Sequence, residues 1–308
     1  MIYVYGPIPS RRLGKSLGIS PIVKKTCNLS CVYCMLGLTD KMTDDFVLPF
    51  SVEEIIKELK ELLDKVTDFD CITIVGEGEP TLYRDLGKLV RKIKTLTDKP
   101  IALITNGTNF TKDSVFQAAL EVDIVLPSLD AYDELSFKKI NRPHKNLDYQ
   151  KIIEALVKFS HEYRGSLWVE IMILKGYSDS LKAVESFKKL LSQIKYDKIY
   201  LNSPVRPPAI KSIKPTTHEQ LETIAKSLGA INIDILAEPK FYSAEADDYL
   251  AILSIIRRHP MNQFEINAFL DSRKTEDKEA VFDKLKKNSD LEIINYKSYD
   301  TYRFKLGR

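Results

Sequence analysis

Three of the chain's four cysteines fall within eight residues, Cys27-Asn28-Leu29-Ser30-Cys31-Val32-Tyr33-Cys34, and the fourth, Cys71, stands alone. An odd group of three cannot pair off internally, and neighbours so close in sequence make poor disulfide partners. The cluster points instead to metal binding in a reducing compartment. Soft thiolates suit iron–sulfur clusters, and three at this spacing can wrap three corners of a cubane. The remaining iron is then open to a small chelating molecule. A closed zinc site is the alternative, and it needs a fourth ligand. His144, His161, His218 and His259 are all far away in sequence, although folding can bring one near. Inert buried thiols are a third reading, but three in eight residues is an unusual density for that.

The 308 residues suffice for one large domain or two smaller ones, with a core that needs no disulfides. A formal net charge of +3 is too small to argue for nucleic acid by itself. The start, MIYVYGPIPSRR, puts Pro and Arg where a secretion signal has its apolar stretch, and no apolar run is long enough to span a bilayer. The expected location is the cytoplasm, without membrane contact.

Residues 1–16 read as an extended lead-in, with Pro7, Pro9, Arg11 and Arg12 discouraging a helix. Strands and amphipathic helices then alternate. Strands are expected at 71–75, 100–104, 124–126, 167–174, 198–202 and, at the end of the series, 232–236. Helices are expected at 51–66, 85–95, 114–120, 149–161, 181–194 and 217–228. Ser51 and Glu54 form a capping-box pattern at the first of these. Such alternation predicts a parallel sheet whose right-handed crossovers curl it into a full or partial barrel. Ligand residues in such folds gather where strands end. The unusual segments sit there: Gly76-Glu77-Gly78-Glu79-Pro80, Thr105-Asn106-Gly107 and Ser128-Leu129-Asp130. Each of the three is also compatible with plain turns and caps. Glu170 interrupts an apolar strand, so it faces either a ligand cavity or a buried partner. Arg142 and Arg206 lie in Pro-stiffened loops and suit a phosphate or carboxylate of a substrate, or plain solvent.

Cys-x3-Cys-x2-Cys with an aromatic before the last Cys resembles the signature of the radical S-adenosylmethionine (SAM) superfamily, over about residues 1–240. The resemblance implies a partial (β/α)6 barrel of the TIM type. It implies a [4Fe-4S] cluster on Cys27, Cys31 and Cys34, with SAM on the open iron. Tyr33 would pack near adenine. Gly76, Gly78 and Glu79 would meet the methionine amino group. Thr105, Asn106, Ser128 and Asp130 would line the ribose and carboxylate. Ferredoxin or flavodoxin would supply the electron that splits SAM into methionine and a 5′-deoxyadenosyl radical. The lead-in Gly6-Pro7-Ile8-Pro9-Ser10-Arg11-Arg12-Leu13-Gly14 further resembles iron–sulfur oxidoreductases related to the wyosine-forming tRNA enzymes. Those enzymes carry extra cysteines for a second cluster; here only Cys71 remains, on an expected core strand.

From Phe241 onward the pattern changes. Helices are expected at 247–258, 263–270 and 275–287, then a ribbon at 291–297 and 301–306 with its turn at Ser298-Tyr299-Asp300. This order suggests a winged helix, with a domain boundary at 240/241. The third helix carries Lys278, Lys284, Lys286 and Lys287, but also Glu276, Asp277, Glu279 and Asp283. A nucleic-acid reader is expected to show a clearer basic stripe. Three functions follow: modification of a tRNA nucleoside, action on a protein or peptide, or a non-catalytic DNA-binding redox regulator. The glutamate-bearing strand ends speak against the regulator, which needs no SAM pocket.

Overall fold

The computed structural model describes residues 2–233, 241–243 and 245–305. The lead-in is a strand, β1 (Val4–Ser10), antiparallel to β2 (Gly14–Ile19). Two short strands, β3 (Thr26–Cys27) and β4 (Lys41–Met42), pair across the base of the cysteine loop. The alternating series follows: α1 (Val52–Leu63), β5 (Cys71–Ile74), α2 (Leu86–Lys94), β6 (Ile101–Thr105), α3 (Asp113–Leu120) and β7 (Ile124–Pro127). It continues with α4 (Glu134–Ile140), α5 (Tyr149–Glu162), β8 (Ser166–Met172), α6 (Leu181–Leu191), β9 (Lys198–Asn202), α7 (His218–Leu228) and β10 (Ile231–Asn232). These strands form one sheet in the order β1-β2-β5-β6-β7-β8-β9-β10, parallel from β2 onward. The result is an α/β fold with the parallel sheet of a partial barrel.

Local chemistry explains the elements. At α1, Ser51 Oγ accepts from Glu54 N and Glu54 returns a bond to Ser51 N, while Val52, Ile55, Leu59 and Leu62 are buried against the sheet. All of β5 is buried, as a strand covered on both faces must be. Strand β8 alternates instead. Leu167, Val169 and Ile171 are buried, while Trp168, Glu170 and Met172 sit on the half-buried opposite face. Helix α4 was not expected from the sequence. Asp133 caps it with Ser136 at the third position, where the usual signature has Glu or Gln.

The C-terminal unit contains α8 (Asp248–Ile256), β11 (Met261–Asn262), α9 (Gln263–Ser272), α10 (Lys278–Lys287), β12 (Leu291–Tyr296) and β13 (Tyr299–Phe304). Its small antiparallel sheet has the order β11-β13-β12. Ile252, Ile256, Ile266, Phe269 and Leu285 make a separate apolar core. The ribbon's turn is two residues long, Lys297-Ser298, both at positive φ, and Tyr299 already pairs with Tyr296. The expected turn was therefore one residue too late. Two residues at positive φ match the twist of a hairpin better than three. Residues 234–236 of the expected last strand, Leu306 and the expected boundary at residue 240 lie outside the described residues. No helix among the described residues is long and apolar enough to cross a membrane.

The seam between this unit and the barrel is polar. Arg206, after β9, donates to both oxygens of Glu265 on α9, at 2.7 and 2.5 Å. Both side chains are only 6% exposed. Tyr296 Oη donates to Pro204 O at 2.8 Å, and Arg303 Nη1 to Pro207 O at 3.1 Å. Removing one partner of a buried ion pair strands the other charge, at a cost of about 3–5 kcal/mol. Arg206→Ala is therefore expected to lower stability by about 3–5 kcal/mol in denaturant melts, while the paired change Arg206→Met with Glu265→Leu recovers most of it. Equal losses for the single and the paired change would show that the ion pair does not hold the seam.

Candidate active site

Cys27, Cys31 and Cys34 are free, half-buried thiols; Cys27 ends β3, and Cys31 and Cys34 lie on the loop that follows it. Backbone and amide donors surround them. Leu29 N donates to Cys27 Sγ at 3.4 Å, Asn141 Nδ2 to Cys31 Sγ at 3.4 Å, and Asn106 Nδ2 to Cys27 Sγ at 3.8 Å. Burial pushes the Cys27 thiol up to about 12, and it raises Cys31 and Cys34 as well. Thiolates in this setting require a cation for company. Cys71 is elsewhere, buried on β5 with its Sγ near Leu13 O and Thr73 Oγ1.

The segment Gly76–Pro80 closes over this loop. Glu79 N donates to Thr26 O at 3.0 Å and Lys25 N to Glu77 O at 2.5 Å. A Cβ on Gly78 would lie 1.9 Å from Thr26 O, and one on Gly76 would lie 2.5 Å from Gly78 O. The glycines thus permit a close backbone approach that any side chain would block. Glu79 is buried, and both its oxygens are taken. Oε1 accepts from Thr81 N at 3.0 Å and from the hydroxyls of Thr81 and Thr105, each at 2.6 Å; Oε2 accepts from Asn106 N at 2.8 Å. Burial raises its pKa all the same.

The other expected residues divide in two. Tyr33, Cys34, Gly76, Glu170 and Arg206 line a cavity of about 400 Å3 inside the barrel mouth. That volume lies within the usual range of small-molecule sites, ~300–1,000 Å3. Thr105, Asn106, Ser128 and Asp130 do not line that cavity: Asn106 and Asp130 bond to the cysteine loop, and Thr105 bonds to Glu79. Tyr33 Oη donates to Asp130, which also accepts from Met172 N at 2.9 Å and Asn141 Nδ2 at 3.3 Å. Asn106 Nδ2 reaches Asn28 Oδ1 at 2.8 Å, and Ser128 N donates to Thr105 O at 3.0 Å. Arg142 is exposed and lies outside the cavity.

A model of the radical SAM superfamily matches residues 22–187, more than half the chain. The chain belongs to the radical SAM superfamily. It is 36% identical over 286 residues to a UPF0026 protein of Methanocaldococcus jannaschii, spanning 88% of this chain and 87% of that protein. It is also 39% identical over 235 residues to a protein named GTPase Obg of Brachyspira hyodysenteriae, spanning 75% of this chain but 35% of that protein. The fold is similar to a radical SAM methyltransferase from Sphaerobacter thermophilus, with a TM-score of 0.56 at 18% identity over 71% of this chain and 65% of that chain.

Radical SAM membership implies a [4Fe-4S] cluster and SAM. The residues present fit both. The cysteine loop offers three unpaired thiols. Among the described residues no three His, Cys, Asp or Glu side chains converge on a point where one ion would sit. A cubane takes one thiolate per iron and needs no such point. At the cavity wall Glu77 Oε1 is buried with no hydrogen-bond partner, and a ligand ammonium would satisfy it. Its other oxygen lies 3.3 Å from Arg258 Nε.

Several site residues escaped the sequence reading. Asn28 and Asn141 position the loop, and Glu77, Arg258, His259 and Glu265 reach the cavity. Asn28 lay inside the cysteine motif and Arg12 inside the lead-in, so both were visible but without a role. His259 and Glu265 come from the C-terminal unit, and no spacing relates them to the cysteines. His259 Nε2 accepts from Arg206 Nη2 at 2.9 Å, so the ring is neutral with its proton on Nδ1. Burial, then Arg206 and Arg11, drive its pKa well below the usual 6.5.

Two outcomes follow. Gly78→Ala is expected to cost about 1–3 kcal/mol in thermal melts through overpacking against Thr26 and to lower iron bound per chain; wild-type iron content would rule out this packing role. His259 binds no proton in the folded chain where the unfolded chain does, so its stability contribution is full above about pH 6.5 and falls as pH drops below it. The loss of melting temperature between pH 7.5 and 5.5 is expected to be smaller in His259→Phe than in wild type. Parallel curves would show that His259 does not titrate this way.

Proposed function

We propose that Cys27, Cys31 and Cys34 hold the cluster, that SAM occupies the adjoining cavity wall, and that the substrate is a nucleoside in RNA, tRNA first. One electron from ferredoxin or flavodoxin breaks the bond between the sulfonium sulfur and C5′, releasing methionine and a 5′-deoxyadenosyl radical that takes a hydrogen atom from the substrate. The observation that carries this reading is the meeting of three sequence-distant segments at one cavity: Arg11 and Arg12 of the lead-in, Tyr33 and Cys34 of the cysteine loop, and Gly76 and Glu77. Tyr33 presents its ring there, with its hydroxyl anchored on Asp130. Gly76 and Gly78 keep the SAM-facing loop low over the cysteine loop, and Glu79 locks that loop to Thr105 and Asn106.

The RNA part rests on the lead-in's resemblance to the wyosine-related enzymes and on the C-terminal unit. We read its element order, α8-β11-α9-α10-β12-β13, as a winged helix with Lys297-Ser298 at the tip of the wing. Helix α10 exposes Lys284, Lys286 and Lys287 at its end. The same helix exposes Glu279 and Asp283, which favours a second reading, a protein or peptide partner docked on the unit.

The test is anaerobic reconstitution with iron and sulfide, followed by SAM and dithionite. 5′-Deoxyadenosine is expected, falling to background in Cys27→Ala, Cys31→Ala and Cys34→Ala. A fully loaded cluster that yields none, with bulk RNA present, would remove the cleavage reading. Nucleosides of bulk tRNA from a deletion strain are then compared with wild type. A missing modified nucleoside supports RNA; an unchanged profile turns the reading to protein.

A further inference from the structure

The cysteine loop is gripped by three stretches of chain, after α4, β8 and β9. In the first, Ile140 O accepts from Val32 N at 2.9 Å, Asn141 O and Arg142 O accept from Ser30 N at 2.9 and 3.2 Å, and His144 N donates to Asn28 O at 2.8 Å. In the third, Ile210 N donates to Val32 O at 3.1 Å. Val32, Ile140, Leu174 and Ile213 pack as one apolar cluster, and Lys175 N donates to Lys214 O at 3.4 Å. The charges that these stretches expose have one sign. Residues 135–147, 171–178 and 207–218 hold none of the chain's 43 acids. Lys139, Arg142, Lys145, Lys175, Lys211 and Lys214 are all exposed. Each is bonded to the loop through its backbone or adjoins in sequence a residue that touches it. Lys138 pairs with Glu134 at 2.5 Å, whereas these six form no ion pair among the described residues. Past the loop the charges cancel: Asp40 and Asp44 pair with Lys25 and Lys112 at 2.8 and 2.9 Å, and Asp45 is matched in number by Lys41. A single exposed lysine is ordinary solvation, but six uncompensated cations around one loop raise a local potential that steers a partner of opposite charge. None of the six lines the cavity, which meets the loop only from Tyr33 onward.

We propose that this basic face is the docking surface for the electron donor, a small protein with an acidic surface that passes one electron to the cluster. The proposal rests on the reading that Cys27, Cys31 and Cys34 hold a cluster that must be reduced. The donor is oxidised by one electron and the cluster is reduced by the same one; no bond forms or breaks. Electron-transfer encounters bury little area and are weak, so the partners find one another through their fields rather than through tight packing. Position favours this occupant over an RNA. The basic stretches hold residues 28–32 of the thiol loop itself and stay out of the cavity in which the substrate reacts. Arg142, which does not reach that cavity, thereby has a part in the reaction that precedes it.

The test follows the electron backwards, from cluster to flavin, which needs neither SAM nor substrate. The anaerobic, cluster-loaded chain is reduced with dithionite, desalted and mixed by stopped flow with oxidised flavodoxin, and formation of the flavin semiquinone is monitored. The rate is expected to fall with added salt, and by about tenfold or more in the triple variants Lys139→Glu/Arg142→Glu/Lys145→Glu and Lys175→Glu/Lys211→Glu/Lys214→Glu. Reduction of an uncharged quinone reports the integrity of the cluster and is expected to match wild type. The double variant Lys145→Glu/Lys211→Glu serves should either triple lose its cluster. A loss in one triple alone narrows the face to that stretch. Undiminished semiquinone formation in both variants, or a rate indifferent to salt, overturns the proposal. Weakened tRNA retention on filters with unchanged flavodoxin rates assigns the face to RNA and overturns it as well. Failure to form 5′-deoxyadenosine tells against SAM cleavage and leaves this measurement standing, whereas a chain that takes up no cluster overturns both readings.

Discussion

The buried carboxylate of Glu79 is the tie on which the geometry of the site depends. It joins the end of β5 to the end of β6 by accepting from Thr81, Thr105 and Asn106 at once. Hydrogen bonds to a charged group are stronger than neutral ones, and burial keeps water from competing for them. Asn106, so fixed, turns its side chain to Asn28 and toward Cys27. Asn28 in turn donates to Thr108 Oγ1 at 2.8 Å. A chain of polar contacts therefore runs from the middle of the sheet to the first thiol. The cysteine loop has little regular structure of its own, and its shape is imposed by these neighbours.

A second tie runs through Asp130. It accepts from Tyr33, Asn141 and the backbone of Met172, and so connects the far end of the cysteine loop to β7 and β8. The same β8 that supplies Met172 N also presents Glu170 on its cavity face, by the two-residue period of a strand. Loop and cavity are positioned by the same few strand ends. This is the reason that ligand residues concentrate at that end of a parallel sheet. The C-terminal unit then meets the barrel through Arg206–Glu265 and Arg258–Glu77. Lys24 Nζ, three residues before Cys27, donates to Arg257 O at 2.9 Å. The seam touches the segment leading into β3 and the Gly76–Pro80 loop, so the unit is not a remote appendage of the barrel.

Much of this was legible in the residues. The alternating periods of strand and helix, the capping box at Ser51 and the glycine-bounded strand ends are local signals; the capping box forms and most elements lie near their expected bounds, while β2 begins at Gly14, inside the expected lead-in. The three cysteines and the Gly-Glu-Gly-Glu-Pro segment marked the right strand ends. Helix α4 was missed because its cap lacks the usual partner, and the ribbon's turn was set one residue late because nothing in Lys297-Ser298 advertises positive φ. Glu79 was expected to face SAM, whereas the structure gives its oxygens to protein donors. The orphaned carboxylate oxygen at the cavity belongs to Glu77. Two glutamates two residues apart are indistinguishable in a sequence, and burial separates them only once the loop has folded against Thr26.

The sequence alone determined the chemistry that can occur: the thiols for a cluster, the glycines for a close loop, and the strand–helix order that brings them to one end of a sheet. These rest on residue type and spacing, which a chain carries whether folded or not. The tertiary structure alone decided which polar groups spend their hydrogen bonds on the protein and which are left for a ligand. It hid Glu79 and Asp130, and it brought His259 and Arg206 to a cavity they share with Arg12. Hydrogen-bond satisfaction is a property of buried atoms counted against their neighbours, and the neighbours come from distant parts of the chain.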